Sequence, residues 1–260
     1  MPPLSNLILP WLCVLGVTLG YGLLVRWLFR ARLDMRLAWA AFGASACVVA
    51  LCLGAVFISD LGRAFAPPLL IDLQAATTFG AMFRFALIYA ALPEEAVKIG
   101  VVLLLLALLR RRLKHGSDPA EMLLYSALGF AMCESLLYVA GFATMPQFKG
   151  HLIIFAVARG IFGGLLHALL GMVAGSLLAR QWRSQRKWAW VLIAYGMAVL
   201  LHASFDGSLL HLVFQGFGGE QSDVALQPDA GVSVFIFVGS AIVLLILASL
   251  GLRRSRRLPD

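Results

Sequence analysis

The chain has 260 residues, of which 61% are hydrophobic and only 13% are charged, and its mean hydropathy is +0.90. This composition excludes an ordinary soluble domain and predicts one integral membrane domain over residues 1–260. The net charge of +8 does not indicate a nucleic-acid partner, because the basic residues cluster at the ends of apolar runs, where they set membrane topology.

Seven apolar runs approach or exceed the roughly 20 residues that a membrane-crossing helix needs. They lie at 6–28, 37–59, 86–109, 119–142, 151–179, 188–212 and 231–252. In this order the basic clusters fall on one side and the acidic loops 60–72 and 220–229 on the other. The sequence therefore predicts an all-α polytopic bundle, with the amino terminus outside and the carboxyl terminus cytoplasmic.

The segment Thr77 to Ala91 leaves the number of spans open between seven and eight. It is apolar enough to cross, and Pro93 could separate it from the next helix. A crossing would place Arg110 to Arg112 outside, against the distribution of the other basic clusters. We therefore expect a re-entrant, interfacial or long tilted helix, with Arg84 reaching a headgroup or a carboxylate.

A small set of ionisable residues lies inside these apolar runs. Each costs about 2.5–3.5 kcal/mol at a helix centre on insertion scales, so the default interpretation is a functional site. Residues four apart share a helix face, and four consecutive helices each offer such a polar stripe. A bundle that turns the stripes inward would form a central polar cavity. The residues are Glu94, Glu95, Lys98, Glu134, Arg159, His167, His202 and Asp206.

Two hydrolytic mechanisms suit this set of side chains. A buried glutamate can act as general base on water, with histidines donating to the oxyanion and the leaving group. Alternatively, His167, His202 and Glu134 could hold zinc, with another glutamate as base. The compact HExxH signature is absent, and the sequence does not choose between the two mechanisms.

Several of these features also have purely structural interpretations. Glu95 and Lys98 could be only an ion pair between helices, and Arg159 a headgroup anchor or a carboxylate partner. Tyr138 is expected to pack, or to orient Glu134. Close helix packing explains a group of small residues and one aromatic residue: Gly160, Gly164, Gly171, Gly175 and Phe130. Three further histidines are assigned to the membrane interface: His115, His151 and His211.

Four motifs in fixed order resemble the PrsW family of intramembrane proteases, which is similar to the CAAX prenyl endopeptidases and the bacteriocin-processing membrane proteases. The resemblance covers about residues 85–212, the expected catalytic core, and leaves 1–60 and 231–252 as flanking spans. The motifs are Glu94-Glu95-x-x-Lys98, Phe130-x-x-x-Glu134 with Tyr138, His167-x-x-x-Gly171, and His202-x-x-x-Asp206.

This resemblance implies hydrolysis of a peptide bond in or near a transmembrane segment of another membrane protein. Glu94 or Glu95 would activate the water, aided by Glu134 or His167. His202 would steady the oxyanion, and Asp206 would either assist it or orient the His202 ring. The family's substrates imply a single-span regulator of the anti-sigma type as partner, in the lipid bilayer of a prokaryotic cell membrane.

Two other functions use the same kind of residues. Buried carboxylates and histidines also mark ion pathways, so a proton- or ion-coupled transporter is an alternative. It would predict inverted repeats. The sequence contains only one short repeat, Leu-Leu-His-Ala, at 165–168 and again at 200–203. A non-catalytic membrane scaffold subunit, of the kind found in gamma-secretase, is the other alternative.

Overall fold

The structure is a computed structural model that describes residues 5–29, 33–58, 78–144, 150–181, 187–217 and 228–255. These ranges contain helices and turns and no strand, so the predicted all-α class is confirmed for them. The predicted acidic loop 60–72 and most of the loop 220–229 lie outside the described residues.

Helices account for nearly all of the described chain. A π-helical segment, Ala86–Ala91, joins α3 to α4 without a break, so the two form one continuous rod. Within the described residues, five helices are long and apolar enough to cross a membrane: α1, α5, α6, α7 and α8. The bounds are α1 Ser5–Phe29, α2 Met35–Ile58, α3 Phe79–Phe85, α4 Leu92–Leu108, α5 Asp118–Phe142, α6 Leu152–Gln181, α7 Lys187–Phe217 and α8 Pro228–Ser255.

The π-helical segment has a local cause in the sequence. Pro93 has no N–H to offer the carbonyl four residues back, and its ring would clash with that carbonyl in a regular α-turn. The chain widens instead, and the Leu92 N–H bonds to the Leu87 carbonyl, five residues back. The Tyr195 hydroxyl of α7 donates to the Leu92 carbonyl at 3.0 Å. The wider turn rotates α4 and sets the direction of the side chains that follow.

The rod from Phe79 to Leu108 is one of the forms expected for this part of the chain. At a rise of about 1.5 Å per residue it is roughly 45 Å long, which exceeds the ~30 Å hydrocarbon core of a bilayer. Its length is that of the long helix expected as one alternative, and Pro93 does not end it. Arg84 is exposed, and its Nε donates to the Gly80 carbonyl at 3.3 Å.

Helices α5 and α6 form the centre of the bundle, and glycines bring them close together. A Cβ at Gly175 would lie 2.7 Å from the Ala120 carbonyl oxygen, and one at Gly171 would lie 2.9 Å from the Ala127 Cβ. Both distances are too short for a side chain, so glycine is required at these two crossings. The predicted role of these glycines in close helix packing is confirmed.

Large apolar side chains remain on the outside of the bundle. Phe235 of α8 is 80% exposed and Leu23 of α1 is 65% exposed. A soluble protein rarely leaves such broad apolar surface in water. Together with the five membrane-capable helices, this exterior shows an integral membrane protein.

His211 lies in a different environment from the membrane interface expected for it. It is buried, and its Nδ1 lies 2.6 Å from the Ser233 hydroxyl oxygen. The ring of Phe79 meets its imidazole edge-on at 6.4 Å between centroids. This contact connects the far end of α7 to α8 and α3. It lies apart from the polar residues described below.

Candidate active site

The eight ionisable residues predicted to lie in the membrane converge in one connected network. Helix α4 supplies Glu94, Glu95 and Lys98, α5 supplies Glu134, and the remaining four come from α6 and α7. The structure therefore brings together all the residues that the sequence singled out. The contacts that join them are Lys98 to Glu94, Glu95 and His167, His167 to Glu134, Glu134 to Arg159, and His202 to Glu95 and Asp206.

Lys98 lies at the centre of this network and is only 1% exposed. Its Nζ is 2.7 Å from Glu95 Oε1 and 3.5 Å from Glu94 Oε2. The same Nζ lies 2.7 Å from His167 Nδ1 and 4.2 Å from the centroid of the Phe130 ring. The ammonium therefore has carboxylates, an imidazole and an aromatic face around it, which together compensate for its burial.

The hydrogen bonds of His167 define its tautomer. An ammonium only donates, so Nδ1 of His167 accepts from Lys98. The proton of the neutral ring is then on Nε2, which donates to Glu134 Oε2 at 3.0 Å. Both nitrogens of His167 are therefore occupied.

Glu134 is held from the other side by Arg159. A terminal guanidinium nitrogen of Arg159 lies 2.5 Å from Glu134 Oε1. The guanidinium stacks over the Tyr138 ring at 4.4 Å to its centroid. Of the two structural roles considered for Arg159, that of carboxylate partner is the one observed. Tyr138 contacts the site through this arginine.

His202 lies between two carboxylates. Its Nδ1 is 2.9 Å from Glu95 Oε1, and its Nε2 is 3.1 Å from Asp206 Oδ2. Because carboxylate oxygens accept, both ring nitrogens donate and the ring is held as an imidazolium. His202 meets His167 edge-on, with 5.2 Å between ring centroids.

The two adjacent glutamates differ in their contacts. Glu95 Oε1 accepts from both Lys98 and His202, and the side chain is 3% exposed. Glu94 is 16% exposed, and its Oε2 is a buried atom without a hydrogen-bond partner among the described residues. That oxygen lies 3.8 Å from His202 Nε2. In the same part of the network, Arg159 Nε is a buried donor that also has no such partner.

Exposure increases from one side of the network to the other. Lys98, Glu95 and His202 have side chains that are at most 3% exposed. The side chains of Arg159 and Asp206 are 22% and 24% exposed, and Tyr138 is exposed. The network thus has a closed base and a more open rim on α5, α6 and α7.

Three residues of the network are close enough to share a metal ion. Glu94, His167 and His202 each have one ligand atom within 4.8 Å of the others. The set expected from the sequence had Glu134 in place of Glu94. It differs because Glu134 is already bound by Arg159 and His167. The residue types suit a divalent ion such as zinc.

The hydrogen bonds in this arrangement do not suit a bound metal. Nδ1 of His167 accepts from Lys98, and its Nε2 donates to Glu134. Both nitrogens of His202 donate to carboxylates. A metal ligand must offer a lone pair, and neither imidazole has one available here.

Comparison with known proteins identifies the family. A family model described as "PrsW family intramembrane metalloprotease" matches residues 33–245. The chain therefore belongs to the PrsW family. It is an intramembrane protease and a peptide hydrolase, and the resemblance seen in its four motifs is confirmed over a longer stretch than those motifs cover. No curated protein and no solved structure matches the chain.

Two members of this PrsW-family site were not assigned to it from the sequence. Phe130 was interpreted as a packing residue, but its ring lies against the Lys98 ammonium. Its position four residues before Glu134 places both on one face of α5, and this spacing was the available signal. Ser126, one turn further back, donates to the Lys98 carbonyl at 3.2 Å. No feature of the sequence distinguished that serine from others.

Proposed function

We propose that this PrsW-family protease cleaves a peptide bond in or near a transmembrane segment of another membrane protein, with Glu94 as general base. The observation that supports this assignment is the buried Oε2 of Glu94, which accepts no hydrogen bond from the described residues. A buried carboxylate oxygen is costly to leave without a donor. A water molecule between Glu94 and the substrate would supply that donor and would be the nucleophile.

The proposed reaction begins with transfer of a proton from this water to Glu94. The water oxygen attacks the peptide carbonyl carbon, and the carbonyl electrons move to the oxygen to give a tetrahedral oxyanion. The unpartnered N–H at Arg159 Nε is the donor that would bind this oxyanion. His202, whose two N–H groups already bind Glu95 and Asp206, would stabilise it through the positive charge of its ring. When the C–N bond breaks, Glu94 returns the proton to the leaving amine.

The other residues of the network position these groups. Glu95 holds Lys98 and His202, so His202 keeps its place beside Glu94. Asp206 accepts from His202 and has no proton to donate as a carboxylate, which fits an orienting role. Glu134 fixes Arg159 and His167 together. All are positioning residues in this mechanism.

The substrate reaches the site laterally from the bilayer, since the described helices present large apolar side chains on their outer surface. The partially exposed rim formed by Tyr138, Arg159 and Asp206 supports entry between α5, α6 and α7. A single-span regulator of the anti-sigma type in a prokaryotic inner membrane is the substrate class we propose. The proposed orientation has the amino terminus outside and the carboxyl terminus cytoplasmic.

The test is cleavage of a co-expressed single-span substrate by variants that differ in one carboxylate. We expect Glu94→Gln to lower the cleavage rate by about 10²–10⁴-fold, the usual effect of losing a general base. Asp34→Asn is the matched control, because Asp34 is an exposed carboxylate outside the network, and it should cleave normally. Normal turnover by Glu94→Gln would overturn the assignment.

A further inference from the structure

The Lys98 ammonium contacts two of the three residues that could hold a metal ion. Glu94, His167 and His202 form the group with metal-capable spacing. Lys98 Nζ is 3.5 Å from the oxygen of the first and 2.7 Å from a ring nitrogen of the second. A positive charge is therefore already present among the atoms that would bind a cation.

We propose that the Lys98 side chain is the resident cation of this site and that it excludes zinc from Glu94, His167 and His202. The inference rests on the proposed function, because the same Glu94 oxygen holds the water there. The family is described as intramembrane metalloproteases. The proposal departs from that description because of one side chain of this protein, the Lys98 ammonium. The active arrangement contains an ammonium where a metal would otherwise be bound.

Three contacts keep the ammonium in place. Glu95 Oε1 accepts from it at 2.7 Å, and His167 uses its only free lone pair on it. The Phe130 ring covers another side at 4.2 Å. Because the Lys98 side chain is only 1% exposed, the ammonium cannot reach solvent from this position.

Zinc would have to displace this ammonium to bind. Two cations at hydrogen-bond separation repel strongly in a buried site. Displacement would also leave a buried charge without its partners, which is strongly unfavourable. Removal of the ammonium by mutation should do the opposite, because it frees the Nδ1 lone pair of His167. Zinc that binds there would displace one ring proton of His202 and so complete the site.

The test measures zinc bound by purified protein in detergent, without substrate. Wild type, Lys98→Met and Lys114→Met are treated with chelator, incubated with Zn²⁺, desalted and analysed for metal. Lys114 is an exposed lysine outside the network, which makes Lys114→Met the matched control. Thermal unfolding with and without Zn²⁺ gives a second readout, because a ligand that binds the folded state raises Tm.

We expect Lys98→Met to retain about one zinc per chain, as a site with two histidines and one glutamate would, and to show a zinc-dependent rise in Tm. Wild type and Lys114→Met should retain no zinc above a metal-free control protein. The double variant Lys98→Met/His202→Ala should lose the zinc that Lys98→Met gains. This last result would show that the metal binds at the proposed residues.

Stoichiometric zinc in wild type that is lost in His202→Ala would overturn the proposal. So would a folded Lys98→Met that binds no zinc. If Lys98→Met does not fold, the charge-balanced Glu95→Gln/Lys98→Met replaces it, since it removes the ammonium and its nearest carboxylate together. Zinc retention is independent of cleavage, so failure of the Glu94→Gln test would leave this result interpretable.

Discussion

At the residue scale, the different contacts of Glu94 and Glu95 are the basis for the different roles proposed for them. On a helix the two side chains point about 100° apart, and both are within reach of Lys98, at i,i+4 and i,i+3. Spacing alone therefore could not choose between them. The structure distinguishes their contacts through α7, because His202 donates to Glu95 and the Glu94 Oε2 has no hydrogen-bond partner among the described residues. This difference supports the proposal of Glu94 as the base.

This difference predicts that two adjacent substitutions affect stability to different extents. Glu95→Gln should destabilise the folded protein by about 3–5 kcal/mol, the usual cost of removing one partner from a buried ion pair, because Lys98 and His202 both lose a carboxylate. Glu94→Gln should leave the unfolding temperature close to that of wild type. Thermal unfolding in detergent measures both. Equal destabilisation by the two variants would contradict the assignment.

Arg159 allows a second residue-scale test. If its Nε–H binds the oxyanion, Arg159→Lys should keep the charge beside Glu134 but lose that donor. We expect kcat to fall by about 10²–10³-fold with KM little changed, as for the loss of other oxyanion donors. Steady-state cleavage of a reconstituted substrate separates the two parameters. A purely structural Arg159 would instead reduce the folded fraction and leave kcat per folded molecule unchanged.

At the element scale, the rod from Phe79 to Leu108 and the α5–α6 pair determine where the polar residues lie. The π-helical segment before Pro93 rotates α4, and π-helical turns of this kind occur frequently at functional sites. The glycine contacts bring α6 against α5. His167 on α6 can therefore reach both Glu134 and Lys98.

Pro93→Ala tests the contribution of the π-helical segment. The alanine restores an N–H to position 93 and permits a regular α-turn, which would change the directions of Glu94 and Lys98 relative to His202 and His167. We expect cleavage to fall by about 10-fold to 10²-fold, since a misplacement of ~1 Å can have that effect. Pro119→Ala is the control, because Pro119 lies in the first turn of α5, where proline is tolerated. Wild-type cleavage by Pro93→Ala would contradict this role.

Gly175→Val tests the packing of α5 against α6. The added side chain would meet the Ala120 backbone, and overpacking of this kind destabilises by about 1–3 kcal/mol. Gly196→Val is the matched control, because a Cβ at Gly196 has no neighbour within 4 Å. The midpoint of thermal unfolding should fall for Gly175→Val only. A similar fall in both variants would point to helix propensity instead.

At the scale of the whole molecule, the bundle places a charged network inside an apolar exterior. Its five membrane-capable helices and exposed apolar faces suit a bilayer. The buried residues Lys98, Glu95, His167 and His202 lie where water is scarce. In a low-dielectric environment such groups interact strongly, which suits hydrolysis of a peptide bond within the membrane.

The number of crossings has a direct test. Single cysteines at Ala66 and Ser117, in a background without the four native cysteines, can be labelled from each side of a membrane vesicle with an impermeant maleimide. Seven spans require the two positions to label from opposite sides, and this is what we expect from the continuous rod between them. Labelling from the same side would indicate eight spans.

The sequence alone determined the membrane class, the helical bundle, the polar residues and the family. Apolar runs of about 20 residues dictate helices in a bilayer because their backbone groups must be bonded internally, and predicted runs such as 119–142 agree closely with Asp118–Phe142. Only the tertiary structure decided which glutamate has an unbonded oxygen, which nitrogens the histidines use, and that Lys98 lies among the metal-capable atoms. Those properties depend on distances between side chains of different helices, which helical periodicity within one segment does not specify.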